Sequence, residues 1–327
     1  MTVFHARFRN SSPHASHNLL GVLRWKLGIA RDDAPSFQPR DVAPAEPAFH
    51  AAGAELSEVP ARERIRATWI GHSTFLLQHQ GRNILTDPIL GNCAPFPIGG
   101  LRRSTPPGMS LDSLPPIHDV LISHSHYDHL DASTIRTLGR EVCYWVPAGL
   151  SAWFRKRGFN SCQELGWWQS AALSDRITIH SVPAQHASGR SPFDRDMTHW
   201  CGWVLKSSDR SIYFVGDSGY SAPLFQEIGY RLGGFDLALI PIGAYRPRWL
   251  MQPMHLDPAE AVQVHVDVAS HRSLACHWGT FRLTDEPLNE PPALLNHALT
   301  ERGLSARDFC VVAPGQTIAL SSAVKSS

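Results

Sequence analysis

The residues best suited to chemistry in this chain lie in Ser123-His124-Ser125-His126-Tyr127-Asp128-His129-Leu130-Asp131, where three imidazoles and a carboxylate occupy six consecutive positions. The apolar run Val120-Leu121-Ile122 comes just before them. It reads as a buried strand, and alternation along extended backbone then sends His124 and His126 to the same side. Asp128 and His129 aim at a second point as the chain turns into a segment from Ala132 to Leu138 capped by Asp131. Neutral imidazole and carboxylate suit zinc, with manganese or iron competing for the same donors, and a catalytic site keeps one coordination position open for water. Two such ions about 3.5–4 Å apart ionise a water and stabilise both oxygens of a displacement. Packing alone rarely places four ligand-type side chains so close together after a strand.

Three more candidates stand apart in sequence. His186 follows the alternating run 176–182, Asp217 follows 211–215 within Gly216-Asp217-Ser218-Gly219, and His277 follows 273–276. Each therefore sits just past a β-run, where α/β folds gather catalytic groups. Taken singly, His186 or His277 reads more readily as a core histidine; together with the cluster, both read as ligands. The glycines beside Asp217 would let backbone and metal approach closely. Asp87, in Leu85-Thr86-Asp87-Pro88, is expected to orient a metal-bound imidazole, the alternative being a cap on the turn before Pro88.

These side chains need a scaffold, and the pattern supplies one. Runs 67–70, 74–77 and 83–85 read as an antiparallel meander, 144–146 as a strand, 150–156 as a helix, 203–205 and 211–215 as paired strands, and 235–240 as a buried strand. Asp257-Pro258-Ala259-Glu260 starts a helix to about 267, residues 291–301 form another, and 309–312 a last strand. Residues 91–116, with Arg102-Arg103 in the middle, are a long Gly- and Pro-rich loop of the kind that is often functional. The strand-then-helix rhythm gives an α/β fold. The 327 residues divide into an extension, 1–60, rich in Pro and Ala between positions 32 and 60, and a catalytic domain, 61–327.

Composition narrows the partners. With 43% hydrophobic and 18% charged residues and a formal charge of +1, the chain is neither disordered nor basic, and nucleic acid is excluded as a partner. No apolar run is long enough to span a membrane and the start lacks a secretory signal, so the expected location is cytoplasmic, with peripheral membrane contact as the alternative. Residues 19–27, apolar but punctuated by Arg24 and Lys26, are either an interfacial anchor or a segment packed on its own domain or on a dimer mate. The six cysteines form no Cys-x-x-Cys pair and read as reduced core residues. The 18 histidines favour metal chemistry, and the 10 tryptophans an aromatic core or an apolar channel.

The order His-x-His-x-Asp-His, then His186, Asp217 and His277, resembles the metallo-β-lactamase superfamily, whose members share a four-layer αββα sandwich. Within it the chain is similar to the N-acyl-phosphatidylethanolamine-hydrolysing phospholipase D family. That narrower likeness rests on Trp69-Ile70-Gly71-His72, Ala244-Tyr245-Arg246-Pro247-Arg248-Trp249 and His277-Trp278-Gly279-Thr280-Phe281, and it covers nearly the whole chain. It implies two zinc ions, one on His124, His126 and His186, the other on Asp128, His129 and His277, with Asp217 bridging. It also implies a catalytic role for Asp128 and importance for Asp87 and His255, the latter near the substrate. The implied substrate is a phospholipid, N-acyl-phosphatidylethanolamine, cleaved to N-acylethanolamine and phosphatidic acid by a chain that forms a homodimer. The alternative is a soluble hydrolase of the same fold acting on a lactone or small phosphodiester. A non-catalytic metal module fits poorly, because structural zinc sites are mostly cysteine cages. The chain departs from the family in reading Gly-His-Ser-Thr at 71–74 and Met254 before His255.

Overall fold

Trp69 and Ile70 are neighbours in sequence but belong to different cores, as do Phe75 and Leu76, and Ile84 and Leu85. Successive side chains of a strand face opposite sides, so strands that are apolar throughout must be covered on both faces. The computed structural model describes residues 7–11, 19–29, 65–95, 100–191 and 193–320. The Pro- and Ala-rich stretch 32–60 lies outside them.

The first half of the chain forms helix α1 (Leu19–Lys26), strands β1 (Ile65–Gly71), β2 (Thr74–His79), β3 (Arg82–Thr86) and β4 (Asp119–Leu121), helix α2 (Ala132–Leu138), strand β5 (Cys143–Pro147), helix α3 (Ser151–Arg155) and strands β6 (Cys162–Leu165) and β7 (Ser170–Ala172). The second half forms β8 (Thr178–Val182), β9 (Gly202–Lys206), β10 (Ser211–Phe214), helix α4 (Ala222–Leu232), β11 (Leu237–Pro241), helices α5 (Arg248–Met251) and α6 (Pro258–Asp267), β12 (Ser273–Cys276), helix α7 (Glu290–Glu301) and strands β13 (Phe309–Cys310) and β14 (Thr317–Leu320).

Two seven-stranded sheets result, in the orders β14-β1-β2-β3-β4-β5-β6 and β13-β12-β11-β10-β9-β8-β7. Between them lies one core that includes Trp69, Phe75, Leu121, Trp203, Phe214 and Leu239. The outer face of the first sheet meets α2 and α3 through Ile135 and Phe154, and that of the second meets α4, α6 and α7 through Phe225, Val262 and Leu295. This is the four-layer αββα sandwich. Several of the tryptophans serve this core: Trp69, Trp145 and Trp203 are buried in it.

Strand direction decides where the site is built. In the first sheet β1, β3 and β4 run the same way, and in the second β8, β10 and β12 do. His72, Asp87 and His124 follow the first three, and His186, Asp217 and His277 the second three. The two sets meet across the sandwich, joined by hydrogen bonds from His277 N to His72 O (2.9 Å) and from Cys201 N to Ser123 O (2.9 Å).

The N-terminal helix α1 touches the body through Trp25 Nε1, which donates to Asp285 Oδ2 at 2.7 Å. Leu20 and Leu23 on it and Leu27 just past it are 69%, 52% and 63% exposed, so this apolar surface is left uncovered among the described residues. Among the described residues no helix is long and apolar enough to cross a membrane. All six cysteines are free; Cys93, Cys201, Cys276 and Cys310 are buried.

Candidate metal centre

The loop after β4 is held by the carboxylate of Asp87, which is fully buried at the end of β3. Asp87 Oδ1 accepts from Ser123 N at 2.7 Å, and Oδ2 from Ser123 Oγ at 2.5 Å and from His129 Nδ1 at 2.6 Å. These contacts fix the tautomers. Burial pushes the Asp87 carboxyl up and His129 and Ser123 oppose it; in its ionised form the one Ser123 hydroxyl proton goes to it, and Ser123 Oγ then accepts from His124 Nδ1 at 2.9 Å. The Met254 carbonyl likewise accepts from His186 Nδ1 at 2.9 Å, a backbone contact that the Met side chain does not affect. His124 and His186 are each left presenting a bare Nε2 lone pair, and His129 turns its Nε2 toward Asp217.

Two groups of donors follow. His124 Nε2, His126 Nδ1 and His186 Nε2 converge, with separations of 2.8 Å from His126 to His124 and 3.3 Å to His186. Asp128, His129, His277 and His72 form the second group. Asp217 lies between them: its Oδ2 is 3.1 Å from His129 Nε2 and from His277 Nε2, and 3.7 Å from His186 Nε2. Yet His129 Nε2, His277 Nε2 and Asp217 Oδ1 are buried without hydrogen-bond geometry to any partner among the described residues. Buried polar atoms left this way, and nitrogen lone pairs aimed at one another, are costly unless a cation sits among them.

The electrostatics agree. Burial pushes His124 and His186 well below the ordinary imidazole value and lowers His126, so these three are neutral, as ligands must be. Burial would raise Asp128 and Asp217, but the imidazoles of His129 and His277 outweigh it and hold both carboxyls well below their usual range. At His129 and His277 the downward push of burial is overcome by Asp217 and Asp128, which raise His129 strongly and His277 to about 9. A proton is drawn there because buried carboxylates demand positive charge, and a divalent cation would satisfy the same demand. The residues present therefore fit such an ion.

Each candidate metal or catalytic residue read from the sequence lies in or beside this cluster. Asp87 orients His129 and, through Ser123, His124. His255 sits at the rim, Nδ1 3.9 Å from Asp217 Oδ2, and burial lowers it to about 3. Sequence reasoning missed His72, whose Nε2 lies 3.0 Å from Asp128 Oδ2. It also missed Arg190, which donates from Nη1 to Ser125 O (2.9 Å) and Leu130 O (2.7 Å) and lies over the Tyr127 ring, so that it clasps the metal-binding loop. His72, Asp87 and His277 adopt φ of 55°, 33° and 59°. That left-handed backbone costs a non-glycine residue about 1–2 kcal/mol, and such strain collects at functional sites. The glycine before Asp217 serves backbone packing: a Cβ on Gly216 would lie 2.7 Å from Ser123 Cβ, so it lets loops of the two sheets touch.

Residues 82–278 match the family model for the beta-lactamase superfamily domain. Over 264 residues the chain is 39% identical to an N-acyl-phosphatidylethanolamine-hydrolysing phospholipase D of Caenorhabditis elegans, spanning 76% of this chain and 74% of that one. It is 40% identical over 263 residues to an uncharacterised protein of Mycobacterium tuberculosis, spanning 78% and 68% of the two chains. A solved metallo hydrolase of the archaeon Ignicoccus hospitalis shares the fold with a TM-score of 0.60 at 22% identity, over 79% of this chain and 98% of that one. With a metal-binding cluster gathered at one end of an αββα sandwich, the chain belongs to the metallo-β-lactamase superfamily and, within it, to the N-acyl-phosphatidylethanolamine-hydrolysing phospholipase D family.

Proposed function

We propose that this protein is a binuclear zinc-dependent phosphodiesterase that hydrolyses N-acyl-phosphatidylethanolamine to N-acylethanolamine and phosphatidic acid. The observation that carries the reading is the meeting of two donor clusters on Asp217, and kinship with the worm enzyme supports the substrate. His124, His126 and His186 would hold one ion and Asp128, His129 and His277 the other, with Asp217 placed between the two groups. Imidazole-rich donors suit zinc, with manganese and iron as competitors. When bound, two divalent cations supply an ionised water and offset charge on the phosphoryl oxygens.

The protein's own groups do the rest. Asp87 keeps His129 and His124 in the tautomers that leave Nε2 free. Asp128, whose side chain is 13% exposed against 2% for Asp217, faces the open side and takes the proton given up by water. Hydroxide oxygen bonds to phosphorus, the bond from phosphorus to the ethanolamide oxygen breaks, and that oxygen receives the proton. His255, neutral at the rim, contacts the bound diester. Exposed Leu20, Leu23 and Leu27 beside Arg24 and Lys26 support contact of α1 with an anionic lipid surface, and a second copy of the chain is the alternative occupant.

The test is turnover of N-acyl-phosphatidylethanolamine vesicles in ¹⁸O-water, with the products weighed by mass spectrometry. The label is expected in phosphatidic acid and absent from N-acylethanolamine. Turnover of a soluble lactone or small phosphodiester with none of the lipid would overturn the lipid reading while sparing the metal centre.

A further inference from the structure

Residues 7–11 lie outside the region matched by the family model, yet they pack on the loop between β8 and β9 that carries His186. Phe8 N donates to Asp196 O at 2.8 Å. The Phe8 ring stacks on His199 at 4.4 Å, and His199 lies against Trp167 at 4.1 Å. The chain is thereby anchored two residues before Asn10.

The Asn10 carboxamide then engages both main-chain groups of His186. Its Oδ1 accepts from His186 N at 3.0 Å, and its Nδ2 donates to His186 O at 2.8 Å. The backbone N–H of His186 can only donate, which fixes the orientation of the amide, and Oδ1 also shares the Trp200 indole N–H, at 3.0 Å, with Ala184 O at 2.9 Å. These bonds fill a gap. Strand β8 ends at Val182, so the ladder no longer serves the backbone of His186, and buried N–H and C=O groups need partners. The ring of His186 is oriented by the Met254 carbonyl, while its main chain is oriented by Asn10.

We propose that Asn10 is a positioning residue of the metal centre: it fixes the backbone of His186 so that Nε2 reaches His124 and His126, which makes the N-terminal segment a working part of one of the two cation sites. The proposal rests on reading His186 as a metal ligand. Outer contacts that orient a ligand typically change metal affinity by about 10- to 100-fold when lost.

The experiment is a Zn²⁺ titration of the full chain against a competing chelator, for wild type, Asn10→Ala, Asn10→Asp and His186→Ala. For Asn10→Ala one equivalent is expected at wild-type affinity and the other weakened about 10- to 100-fold, with turnover recovered as Zn²⁺ is raised. Asn10→Asp keeps the acceptor for His186 N but turns a second oxygen toward His186 O, and it should weaken the same equivalent. Wild-type affinity for both equivalents in both Asn10 variants overturns the proposal. So does equal loss of both equivalents with a collapsed near-ultraviolet circular dichroism signal, because Asn10 would then serve folding alone. If His186→Ala itself keeps two equivalents at wild-type affinity, the ligand reading of His186 fails, and the role of Asn10 fails with it.

Discussion

The two sheets contribute to the centre in different ways. The first delivers His124, His126, Asp128 and His129 on one loop, braced by Asp87 below and clasped by Arg190 from outside. The second sends His186, Asp217 and His277 on three separate loops: Met254 O holds the ring of His186, the Asn10 carboxamide its main chain, and His72 O the amide of His277. Contiguous ligands share their supports, so one support residue controls several of them. Dispersed ligands are each controlled by their own surroundings.

The largest effect is expected where the two contributions meet. Asp217 lies 3.1 Å from both His129 and His277 and is the carboxylate common to the two clusters. Asp217→Asn keeps the shape and removes the charge. Losing about 4 kcal/mol of charge stabilisation corresponds to about a thousandfold in turnover. Steady-state kinetics with the lipid substrate measure it, and turnover near wild type would undo the shared-carboxylate arrangement.

Next comes a support of the first sheet. Asp87→Asn replaces a double acceptor with a group that must turn an N–H toward Ser123 or His129. Because Asp87 reaches His129 directly and His124 through Ser123, both cations should bind about 10- to 100-fold more weakly. Chelator competition resolving two equivalents would show it. Weakening of one equivalent alone would mean that the contiguous loop does not share its support.

How much of this could be read from residues follows the same division. The gathering of candidate donors from 124 to 129 was legible because their spacing is itself the geometry, and the caps at Asp131 and Asp257 were legible because their hydrogen bonds are local: Asp257 forms the full capping box with Glu260. His72 follows the run 67–70 as the other candidates follow theirs, but nothing local showed its approach to Asp128, which depends on where β1 pairs and on a left-handed turn. Arg190 reaches Ser125 and Leu130 across the fold, and no pattern around it marks that. Strands β6, β7 and β14 escaped notice because they are short and half-polar, formed by their place at or near the sheet margins. Helix α4 could have been anticipated from Pro223 in its first turn and from buried Leu224, Phe225 and Ile228 on one face.

The clasp over the first loop should matter less than its brace. Arg190→Gln withdraws Nη1 from two carbonyls that are then left short of a donor, a cost of about 1–3 kcal/mol. Urea unfolding of the metal-free protein should reveal that loss, together with a smaller drop in Zn²⁺ affinity than Asp87→Asn produces. A larger drop would reverse the order of brace and clasp.

The smallest effect is expected at Asp131, although it ends the same loop. Its carboxylate accepts from Ser133 N and Thr134 N and from both of their hydroxyls, at 2.7–3.2 Å, and so caps α2; its bonds do not reach a metal-facing atom. Asp131→Ala should cost about 1 kcal/mol, as lost caps do, while Asp131→Asn keeps most of it because Asn is an equally good cap. At saturating Zn²⁺ both variants should turn over the lipid like wild type, since the capped helix begins beyond the last ligand. Lipid kinetics beside urea unfolding make the comparison. A fall in turnover at full metal occupancy would extend the shared support from Asp87 through to the helix, and the loop would then work as one rigid piece from β4 to α2.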